Sequence, residues 1–549
     1  MTHGALTPAI QSAQVPPGAL RRLRAVPETT ATSAAPATIA VCAVAALLLR
    51  AYQLTRPGYL LGVTEYDDGV MFGDALQFVS GVIPYRDFAD VQPPGSLLVL
   101  APVALLAKVT GTAWGLAIAR ILTVCADTAN VILLGVLVRH RGALTAGIAC
   151  GLYAVYPDAL TAAHTFLLEP WLNLCCLAGA VLVVDGDRMA GIARREGRRQ
   201  EHAAAHTGRL ALGGVAFGFA VTVKIWALLP LGLVALVLAV TARRARPVAV
   251  LAGGVVLGLG VPAAPFAVLA PGGLVRDVVT SQLVRNASGS AVSLTSRLAD
   301  IAGLRLLSPR FPPPVLIIIG IVVAALWAGA YVGSARRPTA LDSCALLGAV
   351  AVTAMLLWPR LYYSHYGAFD GPFLALAIAL PTGRLAARSE ALPSVVAALA
   401  AILLLAMGIS QARTESTEQG SQVSAAADRL IPAGACVVTD DSAYTVAADR
   451  FSSSASGCPP MVDAFGTLFA MTGGHQRGAT AAMLQPVVAV WQTTLARARY
   501  VWFTSDTIGQ IPWNRELYDY FAGHFRLIGL AGQPTAWPDV PRPGLYIRT

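Results

Sequence analysis

The stretch TEYDDGVMFGDALQFVSGVIPYRDFADVQPPG, residues Thr64–Gly95, packs Glu65, Asp67, Asp68, Asp74, Asp87 and Asp90 into 26 residues. The whole chain of 549 residues carries only 30 acids, so one fifth of them sit in this segment. Charged residues are 13% of the chain and apolar residues 56%, with a mean hydropathy of +0.62. So little charge cannot cover a soluble surface, since soluble proteins carry roughly 25% charged residues. Most of the chain is therefore expected in lipid. A cytosolic enzyme, a disordered scaffold and a small secreted disulfide protein are excluded.

The net charge of +10 is no sign of nucleic-acid binding. The arginines cluster between apolar runs: Arg21, Arg22 and Arg24; Arg139 and Arg141; the Arg194–Arg199 stretch; Arg243, Arg244 and Arg246; Arg336 and Arg337. Such clustering marks the cytoplasmic side of a multi-pass protein. Residues 1–35 read as a disordered cytoplasmic N-terminus. The run 36–54 reads as an anchor rather than a signal peptide. Residues 55–95 form a first external loop. Further apolar runs occupy about 114–138, 143–157, 168–184, 210–223, 225–241, 248–271, 314–333, 343–358, 370–381 and 394–410. Basic loops on both sides make 143–184 and 210–241 hairpins, with Tyr156–Glu169 and Lys224 at their outer turns. The short run 96–110 carries Lys108 and is expected to be re-entrant or interfacial.

The fold class that follows is a polytopic α-helical membrane protein of about eleven to thirteen spans over 36–410. A small extracytoplasmic α/β domain is expected over 411–549, with strand-like runs at Cys436–Thr439, Tyr500–Thr504 and Leu545–Arg548. Localisation in the plasma membrane follows from the same pattern. Cys436 and Cys458 are the only cysteines of that domain. An external pair at this spacing fits a disulfide in an oxidising compartment, although spacing alone does not decide it. There is no CxxC, no metal-spaced Cys/His cluster, no P-loop and no GxGxxG after a strand. The spacing of Val70, Phe72, Ala75, Leu76 and Val79 predicts an amphipathic helix lying on the membrane, holding the loop acids at the bundle mouth.

Beyond this loop, five further stretches bear on function. HTFLLEPWLNL (His164–Leu174) places Glu169 at a helix start. GFAVTVKIWALLPL (Gly218–Leu231) interrupts an apolar run with Lys224, one of two lysines in the chain. An ionisable group there is expensive and functional by default. RLYYSHYGAFDGPFLALA (Arg360–Ala377) carries Arg360, Tyr362, Tyr363 and His365, a set that also suits an interfacial aromatic belt. IPAGACVVTDDSAY and FSSSASGCPPMVDAFG follow in the C-terminal region. Arg120 and Asp127, seven apart on one helix, are expected to pair structurally or to gate.

Together these motifs, in this order, resemble the GT-C superfamily of membrane glycosyltransferases, similar to the protein O-mannosyltransferase, aminoarabinose transferase and actinobacterial cell-envelope types. Gln92-Pro93-Pro94-Gly95 departs from the pattern, lacking its usual imidazole or basic side chain. The resemblance implies a polyprenyl-phosphate-sugar donor, an envelope glycan or protein acceptor, and transfer at the external face. Asp67 is then the leading general base, with Asp68 sharing that role or orienting the acceptor. Lys224, Arg360, Tyr362, Tyr363, His365, Glu169, Asp87 and Asp90 are the candidates for binding the donor phosphate and substrates. The chemistry agrees: a lipid phosphate departs as an anion, so one carboxylate acting on the acceptor hydroxyl suffices. Trp491, Trp502 and Trp513 are candidates for stacking on sugar rings. No cofactor is assigned; adjacent acids suit a divalent cation, but a fuller ligand set is missing. A flippase of a lipid-linked sugar and a catalytically silent assembly subunit are the alternatives. The flippase would place its ionisable groups at mid-membrane, within an internal repeat.

Overall fold

The computed structural model describes residues 34–185, 188–189, 201–242, 244–283, 292–304, 313–332, 337–359, 361–452, 457–473, 479–535 and 539–549. The expected N-terminal segment up to residue 33, the arginines at 21–24, 194–199, 243 and 336, and Arg360 lie outside the described residues.

The chain is a polytopic helical membrane protein with a small mixed sheet near its C-terminus. The first part contains α1 (Ala35–Leu54), α2 (Tyr66–Phe78), α3 (Gly95–Thr110), α4 (Thr112–Val138), α5 (Ala143–Ala154), α6 (Pro157–Ala163) and α7 (Leu168–Val183). There follow α8 (Glu201–Val223), α9 (Leu228–Ala242), α10 (Ala245–Leu269), α11 (Pro313–Tyr331), α12 (Ala340–Leu357), α13 (Gly371–Ala386) and α14 (Leu392–Thr417). Among the described residues seven helices are long and apolar enough to cross a membrane, or eight if the bent pair α5–α6 is one span. That is fewer than the eleven to thirteen read from hydropathy. Part of the difference lies in α7 and α13, which are apolar but only 16 residues each. A full crossing takes about 20 residues at 1.5 Å rise. The bend of 56° between α5 and α6 falls at Pro157, whose ring cannot continue the preceding turn.

Leu399, Ile402, Leu403 and Leu405 of α14 and Ile317, Ile318 and Ile321 of α11 are exposed. Outward apolar side chains of this kind are what a lipid-facing surface needs. Inside the bundle, small residues set the closest approach. A Cβ on Gly214 or Gly218 of α8 would stand 2.2 or 2.4 Å from the Leu251 or Val255 carbonyl oxygen of α10. This is the small-residue packing typical of membrane helices.

The C-terminal sheet orders its strands β1-β2-β4-β3, from β1 (Val437–Thr439), β2 (Tyr500–Phe503), β3 (Phe525–Gly529) and β4 (Gly544–Arg548). The β1–β2 pair is parallel and the other two pairs antiparallel. Strand β3 was not foreseen. It is an edge strand whose side chains are mostly half-exposed or exposed, so it lacks an apolar run. Helices α15 (Ser442–Ala447), α16 (Ala464–Met471), α17 (Ala481–Arg497) and α18 (Arg515–His524) complete the region. Cys436 and Cys458 are disulfide-bonded. Trp491, Trp502 and Trp513 pack into the hydrophobic cores here, so they are not sugar-stacking platforms.

Helix α2 is where the two parts meet. It does not lie on a membrane surface: Phe72, Ala75 and Leu76 are buried in the main protein core. Its other face uses glycines one turn apart. A Cβ on Gly69 would stand 2.2 Å from the Ala443 Cα of α15, and one on Gly73 2.7 Å from the Met461 sulfur. One turn further along, the Gln77 side chain accepts a 2.8 Å hydrogen bond from the Met461 amide. At Gly69, where the neighbour is backbone, only glycine allows this approach. Gly69→Leu is therefore expected to detach the C-terminal region from α2, opening the chain after Thr417 to protease in detergent. Gly232→Ala, where nothing lies within 4 Å, leaves the digestion pattern unchanged.

Candidate functional site

Successive residues of an α-helix point about 100° apart, so Asp67 and Asp68 at the start of α2 cannot serve one site. Asp68 is fully buried against α4. Its Oδ2 accepts bonds from Arg120 Nη2 at 2.6 Å and Nε at 3.2 Å, and from the Thr165 hydroxyl. The same guanidinium donates to the carbonyls of Tyr59, Leu60 and Gly62 at 2.6, 3.0 and 2.8 Å, and to Thr64 Oγ1 at 3.2 Å. Arg120 thus ties the loop before α2, the first turn of α2 and the α6–α7 connection to one point. The expected pairing of Arg120 with Asp127 is not formed. Asp127, two turns deeper, binds Arg50 of α1 at 2.6 Å. Tyr153 also donates to Asp127 at 2.5 Å. Asn130 and Asn173 extend this polar layer to the carbonyls of Pro170 and Ala368 at 2.9 and 2.8 Å. Those two carbonyls flank the segments that carry Glu169 and His365.

Asp67 is half-buried and makes no hydrogen bond or ion pair among the described residues. Burial raises its carboxyl above the usual range; His365 and Lys224 draw it back down, while Asp463 and Glu169 push it further up. Four charged or titratable side chains from four separate segments therefore act on its charge. Glu169, at the first turn of α7, accepts a 2.5 Å bond from Lys224 Nζ. Lys224 sits at the break after α8, in extended conformation before a short 3-10 turn. Its ammonium stands 3.7 Å from the Trp226 ring centre and 4.5 Å from that of Tyr366. Aromatic faces attract a cation in this position. Tyr366 is in turn packed edge-on against Tyr362, Tyr363 and His365, with centroids 6.1, 5.4 and 4.8 Å away. Tyr363 stacks on His365. Burial lowers the His365 pKa, which favours a neutral imidazole. The Pro-Pro-Gly element also reaches this corner, because a Cβ on Gly95 would stand 2.5 Å from the Thr222 carbonyl carbon.

The C-terminal region contributes Asp463, which sequence reading did not single out although its segment had been quoted. Tyr66, the neighbour of Asp67, donates to Asp463 Oδ1 at 2.5 Å and accepts from the Phe465 amide at 3.3 Å. Trp226 and Tyr366 were also missed, since their role depends on a fold that brings two distant turns together. Asp87 and Asp90 have other duties. Asp87 pairs with Arg86 at 2.8 Å and caps the Ile83 amide. Asp90 is buried, accepts from the Gln92 amide at 2.8 Å and lies beside Asp74. Burial raises both the Asp74 and the Asp90 carboxyl. Among the described residues no group of three or more His, Cys, Asp or Glu is placed to hold a metal ion.

Charge is sorted between the two ends of the bundle. Helix α4 begins against the C-terminal region, where Thr112 donates to the Val446 carbonyl at 2.7 Å and the Ala113 amide donates to Asp449 at 2.9 Å. It ends 27 residues later, about 40 Å away at 1.5 Å per residue, beside Arg139 and Arg141. Arg141 there pairs with Asp342 at 3.2 Å.

Glu65, beside Asp67 and Asp68, is pushed by burial and those two carboxylates to about 7, and burial raises Asp440 to about 7. A carboxyl raised above its unfolded value contributes stability below the usual carboxylate range and loses it as pH rises through the folded value. The thermal midpoint in detergent is thus expected to fall as pH rises from about 4.5 to about 7 and to level off above that, with Glu65→Gln flattening the fall. Substituting the two aspartates separates their roles at pH 7. Asp68→Asn, which breaks a buried ion pair, is expected to cost about 3–5 kcal/mol. Asp67→Asn removes a strained, unpartnered carboxylate and should leave the midpoint unchanged or raised.

No protein-family model matches the chain, and no curated protein matches it. Solved structures do. ArnT from Cupriavidus metallidurans bound to undecaprenyl phosphate superposes with a TM-score of 0.59 at 16% identity, covering 94% of this chain and 98% of that one. Its apo state gives 0.56 at 16%, with 93% and 98% covered. The apo oligosaccharyltransferase of Archaeoglobus fulgidus gives 0.51 at 13%, with 85% of this chain and 69% of that chain covered.

Proposed function

We propose that this chain, which has a GT-C-like fold, transfers a sugar from a polyprenyl-phosphate donor to a cell-envelope acceptor at the external face of the membrane. The observation that carries the reading is Asp67, a carboxylate with no hydrogen bond or ion pair among the described residues, whose charge is acted on by the buried Lys224–Glu169 pair, His365 and Asp463. A solved structure that overlaps 94% of this chain is of a protein bound to undecaprenyl phosphate, which supports a lipid-phosphate donor here.

Asp67 acts as the general base. Its raised carboxyl shares the proton of an acceptor hydroxyl as the oxygen attacks the anomeric carbon, and the bond to the lipid phosphate breaks with its electrons leaving on phosphate. No acid is needed for that leaving group. Lys224 supplies positive charge to the phosphate through charge-assisted hydrogen bonding. Glu169 and the rings of Trp226 and Tyr366 hold the ammonium in place. The neutral His365 imidazole and the Tyr362–Tyr363 pair provide further hydrogen-bonding groups beside it. Asp68 has a different part: with Arg120 it fixes the first turn of α2, and so the direction of Asp67. The arginine-lined end then faces the cytoplasm and the C-terminal region lies outside. The flippase alternative fits less well, because the unpartnered carboxylate stands at one end of the bundle while the deeper Arg50–Asp127 pair is closed on itself.

With purified protein and a polyprenyl-phosphate sugar, Asp67→Asn is expected to lower the transfer rate by about 10²–10⁴ while the fold survives. Lys224→Gln should raise the donor KM more than it lowers kcat. Full transfer by Asp67→Asn would remove the base assignment. Lipid movement across liposomes by a wild type that never transfers sugar would remove the enzyme reading.

A further inference from the structure

A cleft of about 460 Å³ opens between the first loop and the C-terminal region. Small-ligand sites span about 300–1,000 Å³, so it has room for a disaccharide. One wall is the turn carrying Arg86 and Phe88, with Arg276 beside it; the other is the α17 face with Thr493 and Arg497, and Val462 lies on its floor. Three guanidiniums thus line it against one carboxylate, Asp87. Arg86 is tied to Asp87 and Arg276 to the buried Asp277 at 2.5 Å. Among the described residues Arg497 donates only to a neutral acceptor, the Gly457 carbonyl at 3.4 Å. The cleft therefore keeps a positive balance.

The turn that presents Arg86 and Phe88 is held against a backbone preference. Tyr85 has a φ of 67°, a left-handed conformation that is strained for a non-glycine residue. Burial of its ring against Phe266, a 2.7 Å bond from its hydroxyl to the Gln92 carbonyl and one of 2.9 Å from its amide to the Phe88 carbonyl offset that strain. The floor is joined through the chain to the proposed reacting groups. Asp463 follows Val462 in the chain and accepts the Tyr66 hydroxyl bond, and Tyr66 precedes Asp67.

We propose that this cleft binds the acceptor, and that the acceptor is an anionic saccharide whose phosphate or carboxylate is recognised by Arg86, Arg276 and Arg497. Guanidinium groups match both anions in bidentate geometry. Phe88 offers its ring to a sugar face, and Thr493 a hydroxyl to its edge. The anionic group sits at the arginine rim while the attacking hydroxyl points past Met461 and Val462 toward Asp67. This inference rests on the transferase reading.

The test uses the full chain in nanodiscs of zwitterionic lipid, titrated calorimetrically with a phosphorylated disaccharide, a uronic-acid disaccharide and their neutral parent. At least one anionic probe is expected to bind ten-fold or more tightly than the neutral one, and the stronger of the two identifies the group recognised. Arg86→Gln/Arg497→Gln, at two exposed positions, should lower that affinity at least ten-fold, with Arg86→Lys/Arg497→Lys recovering part of it. Asp67→Asn should bind as the wild type does. Equal binding of the neutral probe, or no loss in the glutamine variant, overturns the proposal. Polyprenyl-phosphate binding, measured on the same variants, keeps the two readings apart. Cleft binding without lipid-phosphate binding leaves the cleft standing and the donor reading fallen. Transfer to neutral acceptors with arginine-independent kinetics does the reverse.

Discussion

The buried guanidinium of Arg120 organises everything around it. A charge inside a membrane bundle is costly unless every donor is met, and here three backbone carbonyls, two hydroxyls and the Asp68 carboxylate meet it. Because those partners come from the loop after α1, the first turn of α2 and the α6–α7 connection, one side chain fixes three segments. Once Asp68 is committed to Arg120, helix geometry decides where Asp67 points. The catalytic proposal is a consequence of that constraint: the adjacent acids are one anchor and one reactive group.

A second constraint comes from glycine spacing. Gly69 brings the C-terminal region into backbone contact with the helix that carries Asp67, Gly73 admits the Met461 side chain, and the Tyr66–Asp463 bond closes the same joint. A region that composition marks only as a polar appendix thereby supplies a carboxylate to the site and one wall of the neighbouring cleft. The Lys224–Glu169 pair works similarly from the bundle side, joining the break after α8 to the start of α7. Elements far apart in sequence meet at one end because each ends its helix there.

Composition and the arginine clusters made the membrane character and helical class legible, since both follow directly from the cost of charge in lipid. Lys224 and Glu169 were legible as ionisable groups interrupting apolar runs, but their pairing was not. The Arg120–Asp127 expectation failed because helical spacing reports which residues share a face, not which neighbour lies opposite; Asp68 and Arg50 took those places. Helix α2 was misread for a related reason. Its apolar spacing looks alike whether the partner is lipid or protein, and only the packing of Phe72 and Leu76 distinguishes them. Strand β3 escaped because an edge strand needs no apolar alternation. Asp463 carried no local signal at all, since its meaning depends on a contact about four hundred residues away in sequence.

The most direct test of the central claim, that the Asp67 corner is where a lipid-linked sugar reacts, is a cryo-EM map of the full chain in nanodiscs with polyprenyl phosphate. The account predicts phosphate density beside Lys224 and His365, with the prenyl chain leading into the bundle and Asp67 facing the phosphate. Phosphate density at the opposite, arginine-lined end, or none near Lys224 at saturating lipid, would contradict it.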